Sequence, residues 1–254
     1  MNFKKISHIA FLLMLAACSF YFSIKQRIDI VFIGDSITQG GEGVAAPPFF
    51  ATAFLEKQLG AGRVKFSNQG VSGCTTLDFL PSTATYFPKV VKAADSFYAD
   101  KQATLIFSIM LGTNDSAIDG PLGSPVSTGT YGNNLRIIID RLLESYPGSK
   151  IIIHYPIWYS PNTYNNSKYL QEGLARLQMY FPVIDVLVKN YSKTNPGHVF
   201  RGDKNAFGYF KEHHLTHMQH ENGRQGTFYL HPNEKGSNEL GHFWSKAILK
   251  ITQQ

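Results

Sequence analysis

The stretch Ile28-Asp29-Ile30-Val31-Phe32-Ile33, followed at once by Gly34-Asp35-Ser36-Ile37-Thr38-Gln39-Gly40, decides the fold. Its first six residues form a nearly continuous apolar run, which is typical of a parallel strand buried on both faces. A glycine ends the run, and a short polar segment follows. The sequence therefore predicts a buried parallel strand over Ile28–Ile33, with Ser36 just beyond its carboxyl end.

The remainder of the chain alternates strand-like and helix-like segments. Further strands are predicted at Arg63–Ser67, Ala103–Met110, Lys150–His154 and His198–Phe200. Helical spacing occurs at Phe49–Leu59, Phe87–Tyr98, Tyr131–Tyr146, Lys168–Tyr180, Val183–Tyr191 and Glu234–Ile251. Pro182 is expected to separate two of these helices, because proline cannot continue a helix. This alternation predicts a three-layer α/β/α fold with a mostly parallel, doubly wound sheet, and long loops at 115–130, 156–167 and 212–228.

The N-terminal segment has the order of a secretory signal, in which lysines precede an apolar run. The run ends in Leu15-Ala16-Ala17-Cys18, which resembles the lipobox of bacterial lipoproteins. We expect residues 1–17 to be a signal peptide, Cys18 to be lipidated, residues 18–27 to be a tether and residues 28–254 to be the folded domain. An uncleaved anchor over residues 9–24 stays open, although it is shorter than the ~20 residues that a comfortable span needs. Either alternative predicts an exported protein held at a membrane, facing the periplasm or the cell surface.

The composition and charge of the chain limit the classes of protein to which it can belong. The 254 residues are 43% hydrophobic and 17% charged, which suits one globular domain with an ample core. The formal net charge is +6, but no run of Lys or Arg is dense enough to predict nucleic-acid binding. Lipidation of Cys18 would leave Cys74 as the second of two cysteines, so no intrachain disulfide is expected. We expect a monomer without a cofactor.

Four polar motifs stand at strand ends or at a helix start. They are Gly34–Gly40, Asn68-Gln69-Gly70-Val71-Ser72-Gly73, Gly112-Thr113-Asn114-Asp115 and His231-Pro232-Asn233. In open α/β sheets, the residues beyond the carboxyl ends of the strands form the ligand crevice. In this order, and from about Ile30 to Ala247, the motifs resemble those of the SGNH hydrolases, also called GDSL lipases and acylhydrolases. The resemblance implies a flavodoxin-like sheet and the hydrolysis of ester bonds.

The chemistry of acyl transfer agrees with this resemblance. It needs a hydroxyl nucleophile, a base that titrates near neutral pH and donors aimed at the developing oxyanion. Ser36 is the expected nucleophile, and His231 is the expected base. The expected oxyanion hole consists of the backbone N–H groups of Ser36 and Gly73 and the side-chain amide of Asn114, while Asp115 braces the loop.

One position departs from the family pattern. The family usually places an aspartate three residues before the histidine, but Phe228 stands there. Three alternatives follow, in this order: a backbone carbonyl orients His231 in a Ser–His dyad, a carboxylate such as Asp203 or Glu221 substitutes, or the protein is a weakened relative. The absence matters because disabling the aspartate of a serine-protease triad costs ~10⁴ in turnover.

Two other groups of side chains invite functional hypotheses. His213, His214, His217 and His220 could suggest a metal site, but no recognised zinc signature accompanies them, so we expect no metal. The aromatic group in the loop after the fourth strand could stack on sugars or cover the core. Its members are Tyr155, Trp158, Tyr159 and Tyr164, and His154 before them is expected to be a packing residue.

The sequence therefore predicts a serine esterase that removes a small acyl group, acetyl above all, from a carbohydrate or a related small-molecule ester. Three alternatives remain at this point. They are a lipase or lysophospholipase, a sugar O-acyltransferase, and a catalytically weakened carbohydrate-binding lipoprotein.

Overall fold

The computed structural model describes residues 27–41 and 43–252. Five parallel strands form one sheet: β1 (Arg27–Gly34), β2 (Val64–Gly70), β3 (Ala103–Met110), β4 (Lys150–Ile153) and β5 (Val199–Arg201). Their order across the sheet is β2-β1-β3-β4-β5, which is the flavodoxin-like order. A separate antiparallel hairpin consists of β6 (Glu221–Gly223) and β7 (Gly226–Phe228).

Helices cover both faces of the five-stranded sheet. They are α1 (Ser36–Gln39), α2 (Pro47–Leu59), α3 (Phe87–Tyr98), α4 (Thr128–Ser145), α5 (Leu170–Thr194), α6 (Ala206–His217) and α7 (Glu234–Thr252). Helix α2 packs against α7, and α4 packs against α5. Short 3₁₀ turns lie at Thr76–Phe79 and Pro81–Thr83.

Strand β1 lies between β2 and β3, and the helices on both sides of the sheet cover its side chains. Ile28, Ile30, Val31 and Phe32 have no solvent exposure. Fully burying such a side chain stabilises the fold by ~1.5–3 kcal/mol, so this strand is a main contributor to the core. The predicted α/β/α architecture is confirmed, and so is the prediction that the first strand is parallel and buried on both faces.

The prediction that Pro182 separates two helices is wrong. Helix α5 runs without a break from Leu170 to Thr194 and contains Pro182. A proline inside a helix costs about 3 kcal/mol or more. The apolar face of α5 continues past the proline, from Leu177 to Ile184, and both side chains are fully buried. Burial at ~1.5–3 kcal/mol for each side chain offsets the cost of the proline.

The expectation of an irregular loop over 212–228 is also wrong. Helix α6 extends into this region to His217, and the β6–β7 hairpin occupies the remainder. The signal peptide, Cys18 and the tether as far as residue 26 lie outside the described residues. Within residues 27–41 and 43–252, no helix is long and apolar enough to cross a membrane.

Candidate active site

Ser36 lies just beyond the carboxyl end of β1, an interior strand of the sheet. It is the first residue of α1, and Asp35 caps that helix by accepting the Ile37 N–H at 3.0 Å on its carboxylate. Burial raises the pKa of Asp35 to about 6. The N–H of Ser36 belongs to the first turn, where backbone donors have no partner inside the helix. The turn therefore presents a hydroxyl and a backbone donor at the same edge of the sheet.

A chain of hydrogen bonds connects Ser36 to a histidine and a carboxylate. The Ser36 Oγ lies 2.9 Å from Nε2 of His231. Both carboxylate oxygens of Glu221 lie 3.0 Å from Nδ1 of His231, and one of them also accepts the His231 backbone N–H at 3.1 Å. A carboxylate can only accept, so Nδ1 carries the proton of the neutral imidazole. Nε2 is then free to accept the serine proton.

Glu221 stands directly across the hairpin from the position that lacks the family's aspartate. Glu221 of β6 pairs in register with Phe228 of β7. Directly opposite residues of an antiparallel pair lie on the same face, with Cβ atoms ~4.5–5.5 Å apart. A carboxylate on β6 can therefore replace one that is absent from β7, while Phe228 itself is buried in the core.

This geometry distinguishes between the groups that the sequence left open as the partner of His231 Nδ1. The alternative ranked first, a backbone carbonyl on Nδ1, does not match the structure, because Glu221 occupies that position. Asp203 was the other expected carboxylate, but its oxygens accept the N–H groups of Asn205 and Ala206 at the start of α6. The Asp203 carboxylate therefore stabilises the loop between β5 and α6.

Gly73 and Asn114 lie on the loops that follow β2 and β3. Gly73 has a φ of +77°, a left-handed conformation that favours glycine, and it is exposed. The Asn114 side chain is buried, and its Nδ2 donates to the Cys74 carbonyl at 2.9 Å. One amide hydrogen of Asn114 remains for another acceptor. That Gly73 and Asn114 form an oxyanion hole with Ser36 stays a prediction.

Hydrogen bonds between the strand-end loops fix these positions. Asp115 is fully buried and accepts the Thr76 N–H at 3.0 and 3.1 Å as well as the Thr76 hydroxyl, which connects the loop after β3 to the loop after β2. Burial raises the pKa of Asp115 to about 7. Asn68, near the end of β2, connects this strand to α1 by donating to the Thr38 carbonyl at 2.9 Å. Asp115 thus braces the loop.

The histidine cluster is engaged in local contacts. His213 and His214 each donate from Nδ1 to a backbone carbonyl of α6 at 2.9 Å, and His217 lies 3.1 Å from the Tyr209 hydroxyl. His220 donates to the Leu215 carbonyl at 3.2 Å. Among residues 27–41 and 43–252, no group of three or more His, Cys, Asp or Glu side chains could hold a metal ion.

The aromatic group mainly covers the core. Tyr155, Trp158 and Tyr159 are buried, and only Tyr164 is half-buried. His154 is a packing residue: its Nδ1 accepts the Asp203 N–H at 3.1 Å, and its Nε2 lies 3.0 Å from the Ser108 hydroxyl. Burial lowers the pKa of His154 to about 3.

Two contributions to the site were not predicted from the sequence. The first is the β6–β7 hairpin, whose only sequence signal is a pair of glycines, Gly223 and Gly226, around a two-residue turn. The second is Tyr169, whose hydroxyl donates to Oδ1 of Asn114 at 2.6 Å. Tyr169 falls in a segment with helical spacing, and nothing local distinguishes it from a core tyrosine.

The family of the chain follows from comparison with known proteins. The model of the GDSL-like lipase/acylhydrolase family matches residues 32–238. The chain therefore belongs to this family and is a hydrolase of ester bonds. No curated protein matched the sequence.

Solved structures share the fold at low sequence identity. A lipase/acylhydrolase from Enterococcus faecalis is 18% identical, with a TM-score of 0.58, and the match covers 89% of this chain and 96% of that one. The aryl esterase of M. smegmatis is 19% identical, with a TM-score of 0.56 and coverage of 88% and 99%. A carbohydrate acetylesterase from Sinorhizobium meliloti is 16% identical, with a TM-score of 0.56 and coverage of 89% and 100%.

Proposed function

We propose that the protein is a serine esterase in which Ser36, His231 and Glu221 form the catalytic triad and a Ser36 acyl-enzyme is the intermediate. The observation that carries this proposal is the continuous hydrogen-bonded chain from the Ser36 hydroxyl through the imidazole to the Glu221 carboxylate. Glu221 takes the place of the aspartate that the family usually carries on the position of Phe228.

The steps of the reaction follow from the tautomer of His231. Nε2 accepts the proton of Ser36 as the Oγ attacks the ester carbonyl, and Glu221 stabilises the imidazolium that forms. The N–H groups of Ser36 and Gly73 and the side-chain amide of Asn114 bind the oxyanion. His231 then protonates the leaving alcohol, which leaves the acyl group on Ser36. Water, deprotonated by His231, attacks this acyl-enzyme and releases the carboxylic acid.

We propose further that the acyl group is small, acetyl above all, and that the alcohol is a carbohydrate or a related small molecule. The fold shared with a carbohydrate acetylesterase supports this substrate class. The aromatic loop supports it less than its sequence indicated, because three of the four aromatic side chains belong to the core.

A fluorophosphonate probe tests the nucleophile. The wild-type enzyme should be labelled, and Ser36→Ala should abolish both labelling and ester cleavage. Ser72→Ala is the matched control, because its exposed side chain lies on the neighbouring loop and should keep full labelling. Absence of labelling in the wild type would contradict the proposal and favour a carbohydrate-binding protein.

A panel of p-nitrophenyl esters and acetylated sugars tests the substrate class. We expect kcat/KM to be highest for acetyl esters and to fall as the chain lengthens from acetate to octanoate. A preference for octanoate would contradict the small-acyl proposal and indicate a lipase. Transfer of the acetyl group to an added sugar in place of water would identify an acyltransferase.

We also propose that the protein is exported and held at a membrane through lipidated Cys18. The support is the lipobox-like Leu15-Ala16-Ala17-Cys18 after an apolar run. The expected result is incorporation of radioactive palmitate into the wild type and its loss in Cys18→Ala, with Cys74→Ala as the control. Equal labelling of wild type and Cys18→Ala would contradict the proposal.

A further inference from the structure

The side-chain amide of Asn114 is held at both ends by other residues. Its Nδ2 donates to the Cys74 carbonyl at 2.9 Å, and its Oδ1 accepts the Tyr169 hydroxyl at 2.6 Å. A backbone carbonyl can only accept, so it fixes which end of the amide carries the nitrogen. The phenol of Tyr169 is then the donor, and the second hydrogen of Nδ2 has a single direction in which to point.

We propose that Tyr169 is a positioning residue that holds the Asn114 amide in the orientation required for the oxyanion hole. This inference rests on the proposed function, because Asn114 acts on the oxyanion in that mechanism. A hydroxyl that donates to the amide oxygen also draws electron density from the amide nitrogen. Through this polarisation the remaining N–H becomes a stronger donor to the oxyanion.

The surroundings of Tyr169 favour a permanently protonated donor. Tyr169 is only 3% exposed, and Asn114 is 4% exposed, so water does not compete for their hydrogen bond. Burial, followed by the charge of Asp35, raises the pKa of Tyr169. The hydroxyl therefore keeps its proton throughout the working pH range.

The backbone beside Tyr169 is strained. Leu170 has a φ of +54°, in the left-handed region that non-glycine residues rarely adopt. The N–H groups of Tyr169 and Leu170 both donate to the Thr163 carbonyl at 3.2 Å, which turns the chain sharply before α5. Residues in such conformations persist where the surrounding structure over-determines them, often next to functional sites. This turn directs the Tyr169 ring towards Asn114.

Packing on the other side of the ring is equally specific. The Tyr169 ring contacts the Tyr159 ring edge to face, with centroids 5.4 Å apart. A Cβ at Gly173 would come within 2.9 Å of the Tyr159 hydroxyl and within 3.5 Å of the Tyr169 Cβ. Tyr159 and Gly173 therefore pack closely against the Tyr169 side chain.

Tyr180 provides a matched control for the hydroxyl of Tyr169. It is also buried, it lies on α5, which begins directly after Tyr169, and its hydroxyl donates to the Val126 carbonyl at 2.6 Å. Replacing either tyrosine by phenylalanine removes one buried hydroxyl and keeps the ring. Only Tyr169→Phe removes a donor from Asn114.

The test compares Tyr169→Phe and Tyr180→Phe in the cleavage of p-nitrophenyl acetate. We expect Tyr169→Phe to lower kcat about 10-fold with KM within about twofold, because the lost interaction acts in the transition state. Tyr180→Phe should keep kcat within about twofold. In an Asn114→Ala background, Tyr169→Phe should have no further effect on kcat.

Two results would overturn the inference: an unchanged kcat in folded Tyr169→Phe, or the same loss of kcat with and without Asn114. If Tyr169→Phe does not fold, 3-fluorotyrosine and 3,5-difluorotyrosine at position 169 replace it. Their hydroxyls are stronger donors, so kcat should not fall along the series, and a fall would overturn the inference. Full activity in Ser36→Ala and Asn114→Ala would refute the proposed function itself, which distinguishes the two failures.

Discussion

The two halves of the proposed active site are built in different ways. The strand-end half consists of Ser36, Gly73 and Asn114, which follow strands β1, β2 and β3 of the main sheet. The hairpin half consists of Glu221 on β6 and His231 just after β7. Asn114 is 4% exposed, whereas the side chains of Glu221 and His231 are 22% and 26% exposed.

This difference indicates how each half is held in place. The residues of the strand-end half are held in place by the buried sheet and by hydrogen bonds such as those from the Thr76 N–H to the Asp115 carboxylate. An isolated two-stranded hairpin is marginally stable in water, so the hairpin half depends on contacts with the remainder of the protein. Asn162 supplies one of them, donating to the Gln225 and Thr227 carbonyls at 3.2 and 2.8 Å.

The strongest test of the hairpin half is Glu221→Gln. We expect kcat to fall by ~10³–10⁴, because a neutral amide neither stabilises the imidazolium nor fixes the tautomer of His231. Steady-state kinetics with p-nitrophenyl acetate measures the effect. Asp203→Asn is the control, since Asp203 caps α6 and should leave kcat unchanged. Equal losses in both variants would remove Glu221 from the triad.

The corresponding test of the strand-end half is Asn114→Ala. Loss of one oxyanion donor typically lowers kcat by ~10²–10³, and we expect a value in this range with a small change in KM. Asn134→Ala is the control, because buried Asn134 donates to the Thr76 hydroxyl at 2.9 Å, behind the site. A similar loss of kcat in Asn134→Ala would show that bracing alone explains the effect.

Stability against pH tests the burial of the strand-end half. The pKa of Asp115 is raised from 3.8 to about 7 by burial, so between these values the folded carboxyl keeps a proton that the unfolded chain has released. The unfolding free energy should therefore fall as pH rises through this range. In Asp115→Asn, the decrease in unfolding free energy between pH 4 and pH 7 should be smaller than in the wild type by roughly 2–4 kcal/mol. Urea unfolding at pH 4 and pH 7 measures it, and identical pH dependence in both proteins would contradict the expectation.

Weakening the support of the hairpin should give the smallest effect. Asn162→Ala removes two side-chain hydrogen bonds to the hairpin, each of which contributes ~0.5–1.5 kcal/mol to its stability. Because only part of this loss reaches the geometry of His231, we expect kcat to fall about 3- to 10-fold. The melting temperature should change little, because the hairpin lies outside the main sheet. Gln225→Ala alters the same turn but keeps its carbonyl, so it should match the wild type. A large drop in melting temperature would show that the hairpin stabilises the whole fold.

Much of the fold could be predicted because it depends on local pattern. The helix over Phe87–Tyr98 and the strand over Ala103–Met110 coincide with their predicted bounds. Helix α5 differs because burial of its apolar face outweighs the cost of Pro182. The β6–β7 hairpin was not predicted, because strands of three residues are too short to show an alternation of apolar and polar residues.

The sequence by itself determined the α/β/α fold, the family and the placement of Ser36, Gly73 and Asn114, because the carboxyl ends of parallel strands must meet at one edge of a sheet. It also showed that Phe228 lacks the usual carboxylate. Only the tertiary structure decided that Glu221 faces His231 and that Tyr169 contacts Asn114. Both contacts depend on the register of a hairpin and on a turn before α5, and no local pattern of residues specifies either.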